Sequence, residues 1–134
     1  MKTPEQILND IKSLPVDEYA TPCTVFAHMN EGVGELQNKM KENGVRHLPV
    51  FEGEKLVGMI TDRDVKNIKD DAFRAHHLMS EDVYEVASGT LLREVVFEMS
   101  SKKIGSALVR EADTGEYSIF TSVDGLNALN EILQ

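Results

Sequence analysis

The chain has a single cysteine, Cys23, so it cannot close an internal disulfide and must hold together through its core. It is also short of basic residues. Lys and Arg number 14 against 23 Asp and Glu, a formal net charge of −9 with a pI near 4.8. Nucleic-acid and anionic-membrane surfaces need a basic face to neutralise phosphate, so this balance argues against both and leaves room only for a local basic pocket. No apolar run approaches the roughly 20 residues of a membrane span, and no signal-like segment opens the chain. A cytoplasmic protein is expected. His28, His47, His76, His77 and Cys23 show neither Cys-x-x-Cys nor His-x-x-x-His spacing, so no metal is expected. Nucleophile-elbow, Walker-type and catalytic-cysteine signatures are missing as well, which argues against an enzyme.

What is present is a duplication. Met40 and Met99, like Val50 and Val109, stand 59 positions apart (99 − 40, 109 − 50), whereas Thr61 and Thr121, like Asp64 and Asp124, stand 60 apart (121 − 61, 124 − 64). One residue is therefore inserted in the second hairpin loop. At 134 residues the chain suffices for one domain with a real core, so two copies of one unit are expected to share it.

Thr3-Pro4-Glu5-Gln6 reads as a helix start, with Thr as N-cap, Pro at the first helical position and Gln three residues on. Ile7, Leu8, Ile11 and Leu14 stripe that helix, and either the body of the chain or a partner must cover them. Pro15 to Pro22 reads as a linker and Cys23 to Phe26 as a short strand. Val33, Leu36 and Met40 follow helical spacing, with Gly32 and Gly34 loosening the start and Asn43-Gly44 closing it. Strands are expected at about 46–51 and 55–60 around a Glu52-Gly53 turn, then a helix from Asp62 to about Lys69. After a polar connector, Asp70 to His77, the pattern returns: a strand at 83–86, a helix capped by Thr90, strands at 106–110 and 116–120, and a final helix striped by Val123, Leu126, Leu129, Ile132 and Leu133. Each unit is thus β-α-β-β-α.

Leu48-Pro49-Val50, Gly58-Met-Ile-Thr61-Asp-Arg-Asp64, Met79-Ser80 before a strand, and Ile119-Phe-Thr121-Ser-Val-Asp124 together resemble the tandem repeat of the cystathionine-β-synthase (CBS) domain, the Bateman module. The resemblance covers about residues 18–134. It implies an α+β fold in which two β-α-β-β-α repeats, 18–70 and 71–134, pack sheet to sheet about a pseudo-two-fold axis, with residues 1–17 as an extra N-terminal helix and linker. It further implies clefts at that junction that take an adenosine-containing ligand such as AMP, ADP, ATP or S-adenosylmethionine. No cofactor is required. In three places the chain departs from the family pattern: Leu108 replaces the usual Pro, Ser118 the usual Gly, and Ala20-Thr21 the usual Met-Thr.

Thr61-x-x-Asp64 and Thr121-x-x-Asp124 allow two readings. Each is a capping box at a strand-to-helix junction, which needs no ligand. Alternatively, the helix N-terminus faces an anion while the carboxylate, an acceptor only, takes both hydroxyls of a ribose. The copies differ in charge nearby. Arg46 and His47 align with Gly105 and Ser106, and Arg63 with Val123, so only the first copy carries cations there. By resemblance these are places from which phosphate contacts originate, whereas in the plainer reading Arg46 and Arg63 lie on a solvated face. One phosphate-bearing site is therefore expected at Thr61, Asp64 and Arg63 with Arg46 or His47, and phosphate-bearing ligands should bind better as pH falls toward about 6.5 and His47 gains charge. The Thr121 and Asp124 cleft is expected to be empty or to take an uncharged adenosyl group.

The helices at about 90–101 and 122–133 carry apolar stripes that a small body covers poorly, so a homodimer is expected, together with an unknown regulated protein. The functional expectation is a stand-alone regulatory module that signals ligand occupancy through dimer geometry. The alternative is a ligand-free oligomerisation or interaction scaffold.

Overall fold

The computed structural model describes residues 1–134. Two compact units emerge. Unit 1 comprises Met1–Thr24 with Tyr84–Gln134, and unit 2 comprises Val25–Val83.

In unit 2, β2 (Ala27–His28) runs parallel to β3 (His47–Glu52), which pairs antiparallel with β4 (Lys55–Thr61); α2 (Val33–Asn43), α3 (Asp62–Val65) and α4 (Ala75–Leu78) complete it. Alternation along β3 and β4 and helical spacing along α2 direct Ala27, Leu36, Met40, Leu48, Val50, Ile60, Val65 and Ala75 into one cluster. Unit 1 repeats the plan. Its β5 (Glu85–Ala87) lies parallel to β6 (Ser106–Arg110), which pairs antiparallel with β7 (Tyr117–Thr121), and α5 (Leu92–Lys102) and α6 (Ser122–Ile132) flank them. Val95, Met99, Ala107, Val109, Phe120 and Ala128 centre its core. The expected α+β architecture of two β-α-β-β-α repeats is observed.

The stretch expected as one strand at 23–26 is two. β1 (Thr21–Cys23) joins the unit 1 sheet as an antiparallel edge strand beside β7, and β2 belongs to unit 2. Pro22 has no N–H to give to a second neighbour, so an edge is where it fits. Unit 2 receives the matching edge from Ser80, bridged to Met59, and Thr21 and Ser80 are again 59 apart (80 − 21).

The segments read as linker and connector are also repeat elements. The Val16 N–H donates to Thr90 O at 2.8 Å, and the Ala75 N–H donates to Glu31 O at 2.9 Å; the two donors and the two acceptors each stand 59 positions apart (75 − 16, 90 − 31). Val16 and Ala75 are both fully buried. Each segment straps the start of its unit's long helix, through the Pro15–Leu91 and Gly32–Arg74 bridges. Gly32 is the N-cap of α2, and a Cβ there would stand 2.9 Å from Arg74 Nη1, so close approach of the strap selects glycine.

The helix expected to reach Lys69 stops at Val65, because the Gln37 side-chain amide donates to Val65 O at 2.7 Å and to Ile68 O at 3.2 Å in place of a further turn. In the first hairpin Val50 pairs with Gly58 but Phe51 with Leu56, so Val57 is bulged, and the turn falls at Gly53-Glu54, one residue later than expected. The second hairpin keeps register, with Val109 opposite Ser118 and Arg110 opposite Tyr117. Its extra residue goes into a longer loop in which the Gly115 N–H bonds Glu111 O. The N-terminal helix α1 (Pro4–Lys12) has the expected Thr3–Gln6 box, at 3.1 and 2.8 Å, but buries no residue.

The unit 1 strap is fastened by Asp17, whose carboxylate accepts the Ser88 hydroxyl and the Gly89 N–H. Burial pushes its pKa up, but these two donors outweigh burial and hold it below the usual value. A depressed carboxylate stabilises the fold at pH above its unfolded value of about 4, and the contribution is lost as pH falls through the folded value. Asp17→Asn should therefore melt below wild type from pH 5 to 8, and the gap in melting temperature should close below about pH 4. A gap that is constant down to pH 2 would show that the clamp carries no proton linkage.

Candidate functional site

In unit 2 five of the candidate residues meet at one end of the β3–β4 hairpin. His47 pairs with Thr61 across the two strands, and the Asp62 N–H donates to Arg46 O at 2.8 Å, which ties the entry of β3 to the start of α3. Asp64 Oδ2 accepts the Thr61 backbone N–H at 2.8 Å and the Thr61 hydroxyl at 3.0 Å. The box leaves Oδ1 of a half-buried carboxylate for a further donor. Arg46 and Arg63 flank it, exposed and in no ion pair.

Unit 1 builds the same junction. Asp124 Oδ2 accepts the Thr121 N–H at 2.8 Å and its hydroxyl at 3.2 Å, and Ser106 pairs with Thr121 across β6–β7. The Ser122 N–H bonds Gly105 O at 3.1 Å, in the place of the Asp62–Arg46 bond. Thr121 and Asp124 are thus together, and no cation joins them at positions 105, 106 or 123. Both junctions share one backbone geometry and differ in charge.

A helix-dipole contribution differs too, in a direction the sequence did not indicate. α3 is a single turn of four residues, too short to build an appreciable dipole, whereas α6 has eleven. Attraction for an anion in unit 2 therefore has to come from the Arg46 and Arg63 side chains. The Asp62–Arg46 and Ser122–Gly105 links were missed in the sequence, although the strand register that creates them follows from the aligned Thr61 and Thr121.

The histidines do not gather into a metal centre. The His76 and His77 rings lie 4.0 Å apart between centroids with their planes tilted by 46°, and His77 Nδ1 accepts the Arg74 N–H at 2.8 Å, but no three His, Cys, Asp or Glu side chains come together. No helix is long and apolar enough to cross a membrane.

Residues 16–71 match the family model of the CBS domain. Inosine-5'-monophosphate dehydrogenase of Methanocaldococcus jannaschii is 38% identical over 68 residues, which is 50% of this chain and 14% of that enzyme. The chain spans less than half the length of the curated relatives it matches, 14% and 41%. Among solved structures, the CBS domain pair of protein MJ0100 in complex with 5'-methylthioadenosine and S-adenosyl-L-methionine superposes with a TM-score of 0.76 at 24% identity, over 87% of this chain and 96% of that one. The CBS domain of a bacterial CNNM/CorC family Mg2+ transporter in complex with ATP gives a TM-score of 0.78 at 18% identity, over 95% and 92%. Residues 16–71 are thus a CBS domain, and the second copy of the same unit, with the likeness to CBS domains along almost the whole length, gives the chain the fold of a tandem CBS pair.

Proposed function

We propose that the chain, with repeats at 18–70 and 71–134, is a regulatory module rather than an enzyme and binds an adenosine-containing ligand, AMP, ADP, ATP or S-adenosylmethionine. The observation that carries this reading is the pair of equivalent Thr-x-x-Asp boxes, each with a spare carboxylate oxygen, of which only the unit 2 box has cations beside it. Asp64 takes the ribose hydroxyls there, and Arg63 and Arg46 take phosphate oxygens through the planar donor fork of a guanidinium, with His47 adding charge when protonated. Thr121 and Asp124 serve an uncharged adenosyl group. The known complexes of MJ0100 and of the CNNM/CorC domain support an adenosyl ligand in this fold.

Calorimetry with ATP, AMP and S-adenosylmethionine tests the reading. Asp64→Ala should weaken binding by about 1.5–3 kcal/mol, roughly 10- to 150-fold, as expected for a lost charge-assisted hydrogen bond. Arg46→Ala with Arg63→Ala should weaken ATP and AMP and leave adenosine unchanged. Because Thr61 and Asp64 already bond each other, a ligand-free scaffold is the competing reading. That reading is the correct one if none of these ligands raises the melting temperature and Asp64→Ala lowers it without ligand.

A further inference from the structure

Three of the four histidines stand where the unit 2 strap crosses the turn between β2 and α2. The Ala75 N–H donates to Glu31 O at 2.9 Å and the His76 N–H to Met29 O at 3.0 Å, which lays residues 74–77 along residues 28–31. Two imidazoles are hydrogen-bond acceptors there. His77 Nδ1 takes the Arg74 N–H at 2.8 Å, and His28 Nδ1 takes the Asn30 N–H at 3.2 Å. An imidazole nitrogen accepts only while it carries no proton, so both rings have to be neutral, with their proton on Nε2. The His77 ring is held by Phe73, edge-on at 6.1 Å between centroids, and by His76 at 4.0 Å. The fourth histidine, His47, stands at the far end of β3, opposite Thr61.

Unit 1 has none of this. By the 59-residue offset its places for His28, His76 and His77 are Ala87, Asp17 and Glu18 (87 − 28, 76 − 17, 77 − 18), and its strap is fastened by the Asp17 carboxylate. We infer that the unit 2 strap is a proton-operated latch: in mild acid its two imidazole acceptors are lost and residues 74–77 come away from residues 28–31, while the unit 1 strap stays closed. A protonated Nδ1 turns from acceptor into donor and faces the N–H that it bound before. Protonated His76 and His77 also set two like charges 4.0 Å apart. Because the closed strap needs neutral rings, opening takes up protons and is favoured as pH falls through the ordinary imidazole range at about pH 6.5. The release reaches the edge of β4, since the Met79 N–H donates to Ala75 O at 2.9 Å and Ser80 is the edge partner of Met59.

The charged groups around the junction are already engaged. Glu31 Oε1 is shared between Lys39 Nζ at 2.6 Å and the His28 N–H at 2.7 Å. Asp70 Oδ1 accepts the Ala72 N–H and Asp71 Oδ1 the Gly34 N–H, and Glu52 is paired across the hairpin with Lys55. The Arg74 guanidinium lies against Gly32 and adds a positive charge. Glu35, in the first turn of α2, is exposed, where solvent screens its attraction. This inference is independent of the ligand reading.

Hydrogen exchange tests it, expressed as protection factors so that the pH dependence of the intrinsic rate cancels. Between about pH 7.5 and 5.5, protection at the Ala75, His76 and Met79 amides should fall by about tenfold, whereas the Val16 and Leu92 amides of unit 1 should change by less than about twofold. His28→Asn with His77→Asn supplies amide oxygens that accept without titrating, and should keep the unit 2 strap closed at both ends of that range. If circular dichroism shows that this variant is not folded, the imidazole nitrogen chemical shifts of the wild type decide. Both His28 and His77 should be Nε2–H tautomers at the higher pH and should titrate together with the loss of protection. Unchanged protection in the wild type, an equal fall in unit 1 or in the folded double variant, or an Nδ1–H tautomer at either ring would overturn the inference.

Discussion

Gly58→Ala is expected to destabilise unit 2 by about 2 kcal/mol, the ordinary cost of overpacking, and to lower the melting temperature by roughly 5–10 °C. A Cβ at Gly58 would stand 2.5 Å from Met79 Sδ, 2.8 Å from its Cγ and 2.9 Å from the Ser80 carbonyl oxygen. The methionine can swing aside, but the carbonyl cannot. It accepts the Met59 N–H at 2.9 Å while the Ser80 N–H returns a 2.9 Å bond to Met59 O, so moving it breaks both bonds of the edge bridge. Unit 1 solves the same contact the other way round, with Ser118 at the place of Gly58 and Ala20 at the place of Met79. The two departures from the family pattern are thus complementary. Gly58→Ala with Met79→Ala should lose less than the sum of the single substitutions, and Ser118→Gly should shift the melting temperature little. If Gly58→Ala melts like wild type, or the double substitution is additive, close approach of Met79 is not what requires glycine.

The duplicated hairpins and long helices were legible because each is written in local periodicity. Leu48, Val50 and Ile60 alternate into the core, Val33, Leu36 and Met40 recur at helical spacing, and all of them are buried where that spacing places them. The straps were not legible. Residues 13–17 and 72–76 are held by backbone bonds to partners more than forty positions away and contribute one fully buried apolar side chain each, Val16 and Ala75, so no period reveals them. The early end of α3 is hidden for a similar reason, since it depends on the Gln37 amide reaching across from α2. Of the candidate site, the Thr-x-x-Asp boxes are local and could be read directly. The link from Arg46 to Asp62 is set by strand register and becomes visible only once His47 is seen opposite Thr61.

Val16→Asp is expected to be the most damaging single substitution in unit 1, costing about 3–5 kcal/mol, because a carboxyl there either stays charged without a partner or is driven by burial to take up a proton and remains a buried polar group without a partner. Val16 is 0% exposed and belongs to the same cluster as Leu92, Val95, Met99, Ala107, Val109 and Phe120, although more than seventy residues separate it from the nearest of these in sequence. Its backbone N–H is committed to Thr90 O, and the neighbouring Leu14 carbonyl accepts the Leu92 N–H at 2.8 Å, so the side chain cannot turn outward without releasing the start of α5. Val16→Ala should cost less, about 1–2.5 kcal/mol, in line with losing buried methyl groups and leaving a small cavity. Ile7→Asp on the uncovered helix α1 should cost less than about 0.5 kcal/mol. Hydrogen exchange read at the amides of β6, β7 and α5 distinguishes these cases. Protection should fall by about two orders of magnitude or more for Val16→Asp and remain near wild type for Ile7→Asp. Equal effects of the two substitutions would mean that the N-terminal strap is an appendage rather than part of the unit 1 core.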